Sequence, residues 1–156
     1  MNYFIKYDSP VGTVRITENG AGITSIEFPK SQKYIAAEEK ETPLLKKTVK
    51  QLAEYFAGKR KEFDLPLHLS GTTFQTHVWR KLMEVPYGET RSYKQVAEAA
   101  GNPKASRAIG LANNRNRIPI LIPCHRIIGA DGSLTGYAGG LDTKKFLLDL
   151  ERKFAQ

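Results

Sequence analysis

Cysteine is nearly absent: the chain of 156 residues has one, Cys124. A single thiol cannot close an internal disulfide, and it excludes every zinc arrangement that needs two or more thiolates. Histidine is scarce as well, and His68, His77 and His125 are not spaced as a metal-binding helix pair. No metal and no other cofactor is therefore expected. Long apolar runs are missing: Ile118 to Pro123 is one of the longest, far short of the roughly 20 residues needed to span a bilayer. Met1 leads at once into a strand-like stretch rather than a basic-then-apolar leader. The expectation is an intracellular, cytoplasmic protein with no membrane partner.

Acidic residues are outnumbered, 16 against 24 basic ones, for a formal net charge of +8. The imbalance is local. Between residues 80 and 126 stand Arg80, Lys81, Arg91, Lys94, Lys104, Arg107, Arg115, Arg117 and Arg126, opposed only by Glu84, Glu89 and Glu98. The first half is close to balanced, with mixed runs such as Ala37 to Glu41. A basic block beside a neutral one suits a face turned toward a polyanion, and it equally suits a solvated basic face. The lone cysteine likewise has two readings, an inert buried hydrophobe or a reactive thiol. Composition separates neither pair.

What is present is ordinary for a globular chain, with 40% hydrophobic and 26% charged residues. The opening alternates: Tyr3, Ile5 and Tyr7, then Val11, Thr13 and Val14, then Ile23, Ile26 and Phe28, between turn signals at Ser9-Pro10, Asn19-Gly20 and Pro29. This predicts two or three antiparallel strands. From Glu41 to Gly58 the spacing turns helical, with Leu44, Leu45, Val49, Leu52, Tyr55 and Phe56 on one face. Thr42 is the expected N-cap, Pro43 the first helical residue, and Gly58 the residue past the end. A further strand is expected near Phe63 to Leu67. Residues 1–71 thus read as an α/β domain, a small sheet plus a helix.

Residues 72–156 read as a mainly helical domain. Thr73 with Phe74, Val78 and Leu82 predicts a capped amphipathic helix that stops before Pro86-Tyr87-Gly88. Ser92 caps a short helix reaching Ala100, Gly101-Asn102-Pro103 makes a tight turn, and a second short helix runs from Lys104 to about Asn113. Two short helices joined by a glycine-containing turn fit a helix-turn-helix. Then come the apolar run ending at Cys124-His125-Arg126, a turn at Gly129 to Gly132, and a glycine-rich loop from Thr135 to Gly140. A closing helix contains Phe146, Leu147 and Leu150, with Asp142 or Thr143 as its expected cap.

Pro123-Cys124-His125-Arg126 resembles the active-site motif of the O6-alkylguanine-DNA alkyltransferases. The resemblance extends over most of residues 72 to 151. It includes Phe74-Gln75, Val78-Trp79, Pro86-Tyr87-Gly88, Ser92-Tyr93, Gly101-Asn102-Pro103, Ala105 to Ala108, Asn116, Ile120 to Arg126 and Gly136 to Leu141. It implies a DNA-repair methyltransferase that moves an alkyl group, typically methyl, from O6 of guanine onto its own Cys124. The product is a thioether that water does not readily cleave, so each molecule acts once. The implied partner is double-stranded DNA containing O6-alkylguanine, met by a monomer with no obligate protein partner.

The resemblance also implies roles. His125 activates Cys124 through a bridging water, and Glu151 holds the imidazole, the nucleophile, base and orienter logic of hydrolase triads. Tyr93 offers its hydroxyl to the departing base, and Asn116 ties the helix-turn-helix to the active-site segment. The backbone of Cys124 and Ile127 accepts from the exocyclic amine. Tyr137 walls the pocket, with Ala138 and Gly139 presenting backbone N–H groups toward O6. The buried lesion must be rotated out of the duplex. The implied entry is from the minor groove, by the small residues Ala105, Ser106 and Ala108, with Arg107 filling the vacated stack and Lys104 and Arg126 adding DNA contacts. Two positions depart from the family: Arg117 stands where relatives commonly carry Pro, and Ala138 lacks a hydroxyl that some relatives have. Three rivals fit less. A damage sensor would have replaced Cys124, a cysteine hydrolase has no use for the helix-turn-helix, and a transcription factor leaves the cysteine and glycine loop unexplained.

Overall fold

Strands β1 (Tyr3–Ser9) and β2 (Gly12–Glu18) form an antiparallel hairpin in the computed structural model, which describes residues 1–29 and 34–155. Gly12 sits at the turn with φ +101°, and a Cβ there would stand 2.8 Å from the Pro29 ring, so both space and backbone require glycine. β3 (Ile23–Glu27) pairs antiparallel with β2 and buries Ile23 and Ile26. The sheet order is β3-β2-β1-β4, where β4 (Glu38–Glu39) lies parallel to β1. Two exposed glutamates carry no apolar alternation, which is why β4 has no signal in the sequence. The strand expected at Phe63 to Leu67 is reduced to one bridge, Leu67 to Ile23. Pro66, which has no N–H to extend a ladder, offers only its carbonyl, to Ile23 N at 2.8 Å.

Helix α1 (Pro43–Phe56) starts as expected, with Thr42 Oγ1 accepting from Leu45 N at 3.1 Å. The same hydroxyl donates to Glu18 Oε2 at 2.6 Å, fastening the helix start to β2. Its buried stripe is Leu45, Thr48, Leu52 and Tyr55. Gln51, also buried, exchanges two hydrogen bonds with the backbone of Asp64 and so pins the segment after the helix. These elements belong to one compact unit, Met1–Leu69; the second is Ser70–Gln156.

In the second unit, α2 (Thr73–Leu82) is capped by Thr72 rather than Thr73. A reciprocal capping box with Gln75 places the cap one residue earlier than the apolar spacing indicated. β5 (Arg91–Ser92) leads into α3 (Tyr93–Ala99), which Ser92 caps with Gln95 in the same manner. Gly101 turns at φ +83°, and α4 (Ser106–Asn114) follows. It starts two residues later than expected, and its N-terminus has no side-chain cap. Trp79 on α2 donates Nε1–H to Ala112 O on α4 at 2.8 Å, locking the helix-turn-helix to the helix before it. A single 3₁₀ turn, Cys124–Arg126, runs into β6 (Ile127–Ile128), which pairs parallel with β5. The closing helix α5 (Leu141–Phe154) begins after Gly140 at φ +91° with no side-chain cap. Neither Asp142 nor Thr143 fills that role; Asp142 lies inside the first turn, where its charge favours the helix dipole. Among the described residues no helix is long and apolar enough to cross a membrane.

Candidate active site

The residues around Cys124 are positioned by a strained turn. Ile120, β-branched and buried, holds φ +74° between Pro119 and Ile122, which bridge to each other. Such a conformation costs of order 1–3 kcal/mol unless packing offsets it. Asn116 clamps the turn from inside: its Nδ2 donates to Ile122 O at 2.9 Å, and its Oδ1 accepts from Ile118 N at 2.9 Å. The exposed Arg117 sits within this clamp, so side-chain bonds from Asn116 hold the loop without a proline. Asn113, on the last turn of α4, reaches Cys124 O at 3.4 Å. The helix-turn-helix and the cysteine are thus joined by two asparagines.

Cys124 is buried, 4% exposed. Burial pushes its thiol up to about 11, while a hydrogen bond from the Asn116 side chain and the nearby Lys144 charge pull the other way. At neutral pH the group is a thiol and needs a base to lose its proton. His125, fully buried, bonds through Nε2 to Glu151 Oε2 at 2.6 Å. Burial holds the imidazole below its usual range against the opposing pull of Glu151. Burial also opposes ionisation of Glu151, but hydrogen bonds and charge from His125 and Arg126 outweigh it and hold the carboxyl well below the usual range. Ionised, Glu151 can only accept, so Nε2 carries the imidazole proton and Nδ1 is left as the acceptor. A neutral imidazole with an open lone pair, on the residue that follows the cysteine, is a competent proton acceptor.

Arg126 requires a correction. Expected as a DNA contact, it is 6% exposed, with all three nitrogens engaged inside the protein. Nε and Nη2 reach Glu151 Oε1 and Oε2 at 2.8 and 3.1 Å, and Nη1 donates to Val85 O at 2.7 Å. Gly88 N adds a fourth donor to Glu151 at 3.2 Å. The basic residue beside the cysteine is the clamp of the carboxylate, not a surface charge. Lys104, in the turn before α4, and Arg107, in its first turn, are exposed; Ala105, Ser106 and Ala108 at the helix start are half-buried.

Tyr93 opens α3, half-buried, with its hydroxyl 2.8 Å from Thr135 Oγ1. Tyr137 is partly exposed but its hydroxyl oxygen is buried. Burial first, then the charges of Cys124 and Glu151, raises its phenol well above the ordinary value. Gly136, φ +44°, lies against the Asn114 side chain, where a Cβ would meet Oδ1 at 2.8 Å. Ala138 is exposed and Gly139 half-buried in the turn that Gly140 N closes on Tyr137 O at 3.0 Å, and Ile127 is fully buried next to the 3₁₀ turn.

Sequence reasoning missed Lys144. It is fully buried and donates to Ile127 O at 2.6 Å and Thr135 O at 2.7 Å. Burial lowers its ammonium to about 8, opposed by the Cys124 charge. It is therefore mostly a cation at neutral pH, placed where a thiolate would gain from it. The signal was available: Lys144 shares the buried stripe of α5 with Leu147, Leu148 and Glu151, and charges on an apolar stripe ask for partners.

Two family models cover nearly the whole chain. Residues 2–69 match the ribonuclease-like domain and residues 73–153 the DNA binding domain of 6-O-methylguanine DNA methyltransferase. The methylated-DNA–protein-cysteine methyltransferase of Methanosarcina acetivorans is 49% identical over 152 residues, 96% of this chain and 97% of that relative. The constitutive enzyme of that name from Bacillus subtilis is 48% identical, over 97% of this chain and 96% of its own. The crystal structure of Mycobacterium tuberculosis OGT in complex with DNA superposes with a TM-score of 0.92 at 43% identity, covering 97% of this chain and 94% of that one. With both units matched and a buried Cys-His-Glu arrangement inside the second, the chain belongs to the 6-O-methylguanine DNA methyltransferase family.

Proposed function

We propose that this protein repairs DNA by transferring an alkyl group, methyl in the simplest case, from O6 of guanine to Sγ of Cys124, once per molecule. The observation that carries the reading is the buried relay behind the thiol: His125, neutral and held through Nε2 at 2.6 Å by an ionised Glu151. In the transfer, the Cys124 proton passes through a bridging water to His125 Nδ1. Sγ then forms a bond to the alkyl carbon, and the carbon–O6 bond breaks with its electron pair going to the guanine, whose anion takes up one proton to become guanine. Lys144 offsets the charge on sulfur while it exists, and the Tyr93 hydroxyl donates to the base as negative charge develops there. The backbone carbonyls of Cys124 and Ile127 accept from the exocyclic amine, and Tyr137 closes the pocket, with the Ala138 and Gly139 N–H groups toward O6. Nothing regenerates the thiol from a thioether, so the reaction is stoichiometric.

DNA recognition falls to the start of α4. The exposed Lys104, in the turn before it, and Arg107, in its first turn, suit phosphate and base-stack contacts. The small Ala105, Ser106 and Ala108 let the helix approach a minor groove, and its uncapped N-terminal N–H groups favour a phosphate. Arg107 takes the place of the rotated guanine. We take the protein to act as a monomer in the cytoplasm, on double-stranded DNA.

The test mixes protein with an equimolar duplex carrying one O6-methylguanine, followed by intact and peptide mass spectrometry. One methyl on the Cys124 peptide, restored guanine and a stop at one equivalent are expected. Binding without modification of Cys124 would make the protein a lesion sensor and overturn the reading.

A further inference from the structure

Among the described residues, the Tyr93 hydroxyl has two hydrogen-bonding neighbours, both on Thr135. Its oxygen lies 2.8 Å from Thr135 Oγ1 and 3.3 Å from Thr135 O. The carbonyl can only accept, whereas the hydroxyl can donate or accept. That difference decides where the Tyr93 proton points. A phenol that donates to the carbonyl has no proton left for a departing guanine. A phenol that accepts from Oγ1–H keeps its proton free, and the Oγ1–H···Oη–H chain polarises that proton into a stronger donor.

The Thr135 carbonyl has another partner that biases the choice. Lys144 Nζ donates to it at 2.7 Å and also to Ile127 O at 2.6 Å. An ammonium on the carbonyl draws its electron density away from the longer phenol contact and fixes the backbone from which Oγ1 projects. Lys144 itself is buried.

We propose that Thr135 is a positioning residue for alkyl transfer: its hydroxyl donates to Tyr93 and turns the phenolic proton toward the guanine as the carbon–O6 bond breaks. This rests on Tyr93 acting as the donor in the reaction above. The proton of Oγ1 stays on threonine, and only the direction of the hydrogen bonds is set. Thr135 also joins the Lys144 ammonium, held on its carbonyl at 2.7 Å, to the Tyr93 hydroxyl, 2.8 Å from its side chain.

The test measures single-turnover methyl transfer from an O6-methylguanine duplex over a range of protein concentrations. It compares the wild type with Thr135→Val, Thr135→Ala, Thr135→Ser, Tyr93→Phe and the Tyr93→Phe/Thr135→Val double variant. Loss of one polarising hydrogen bond should lower the saturating rate of Thr135→Val and Thr135→Ala by about five- to tenfold, with the half-saturating concentration unchanged. Thr135→Ser should restore the rate. In the Tyr93→Phe background, Thr135→Val should cost nothing further. A Thr135→Val protein as fast as the wild type, or an equal loss with and without the Tyr93 hydroxyl, overturns the assignment. Wild-type protein that moves no methyl would overturn the alkyl-transfer reading itself, an outcome distinct from a failure confined to the Thr135 variants.

Discussion

Replacing Arg126 with Met removes both guanidinium bonds to Glu151 and the bond to Val85 O while roughly keeping side-chain volume. Glu151, 1% exposed, loses two of its charged contacts and keeps those to His125 and Gly88 N. Breaking one side of a buried ion pair costs about 3–5 kcal/mol. For a chain of this length each kcal/mol lowers Tm by about 2–4 °C, so a loss on the order of 10 °C is expected in a thermal melt. Chemistry should change in step. Arg126 is one of the charges that keep His125 from protonating. Without it the imidazole holds its proton to higher pH, and the acid limb of the single-turnover transfer rate should move up. Duplex affinity, measured in a Cys124→Ala background, should stay within about twofold with the same salt slope, since a residue that contacts no phosphate releases no counterion. An unchanged Tm and acid limb, together with weaker binding and a shallower salt slope, would refute the buried-clamp argument and return Arg126 to the DNA interface.

Acid stability follows from the same cluster. Burial holds His125 below its ordinary value of 6.5, so as pH falls below 6.5 the unfolded chain takes up a proton that the folded one refuses. Stability is then lost down to the folded value. Glu151, lowered from 4.5, contributes stability that is present above 4.5 and lost as pH falls through its folded value. Tm should therefore drop from pH 7 to pH 5 and continue to fall below it, and a flat profile between 7 and 5 would contradict the buried neutral imidazole. Arg107→Ala should slow methyl transfer from duplex DNA more than the reaction with free O6-methylguanine. Equal losses in the two rate assays would mean that Arg107 plays no part in rotating the nucleotide out.

Local signals in the sequence determined much of this protein. Alternation gave the β1–β2 hairpin, Thr42-Pro43 and Ser92 marked two helix starts, and Gly101-Asn102-Pro103 marked the turn before α4, because caps, prolines and left-handed glycines act within a few residues. The motif around Cys124 pointed to the chemistry through residue types that belong together. Tertiary structure decided what depends on partners distant in the chain. β4 exists because two glutamates happen to lie beside β1, and the strand near Leu67 shrinks to one bridge around Pro66. Arg126 looks like surface charge in the sequence; its commitment to Glu151, 25 residues away, appears only when α5 packs on the 3₁₀ turn. Lys144 similarly becomes a buried cation near the thiol only through the carbonyls of Ile127 and Thr135. A buried charge takes its meaning from its partners and its desolvation, and both are set by packing rather than by neighbours in the chain.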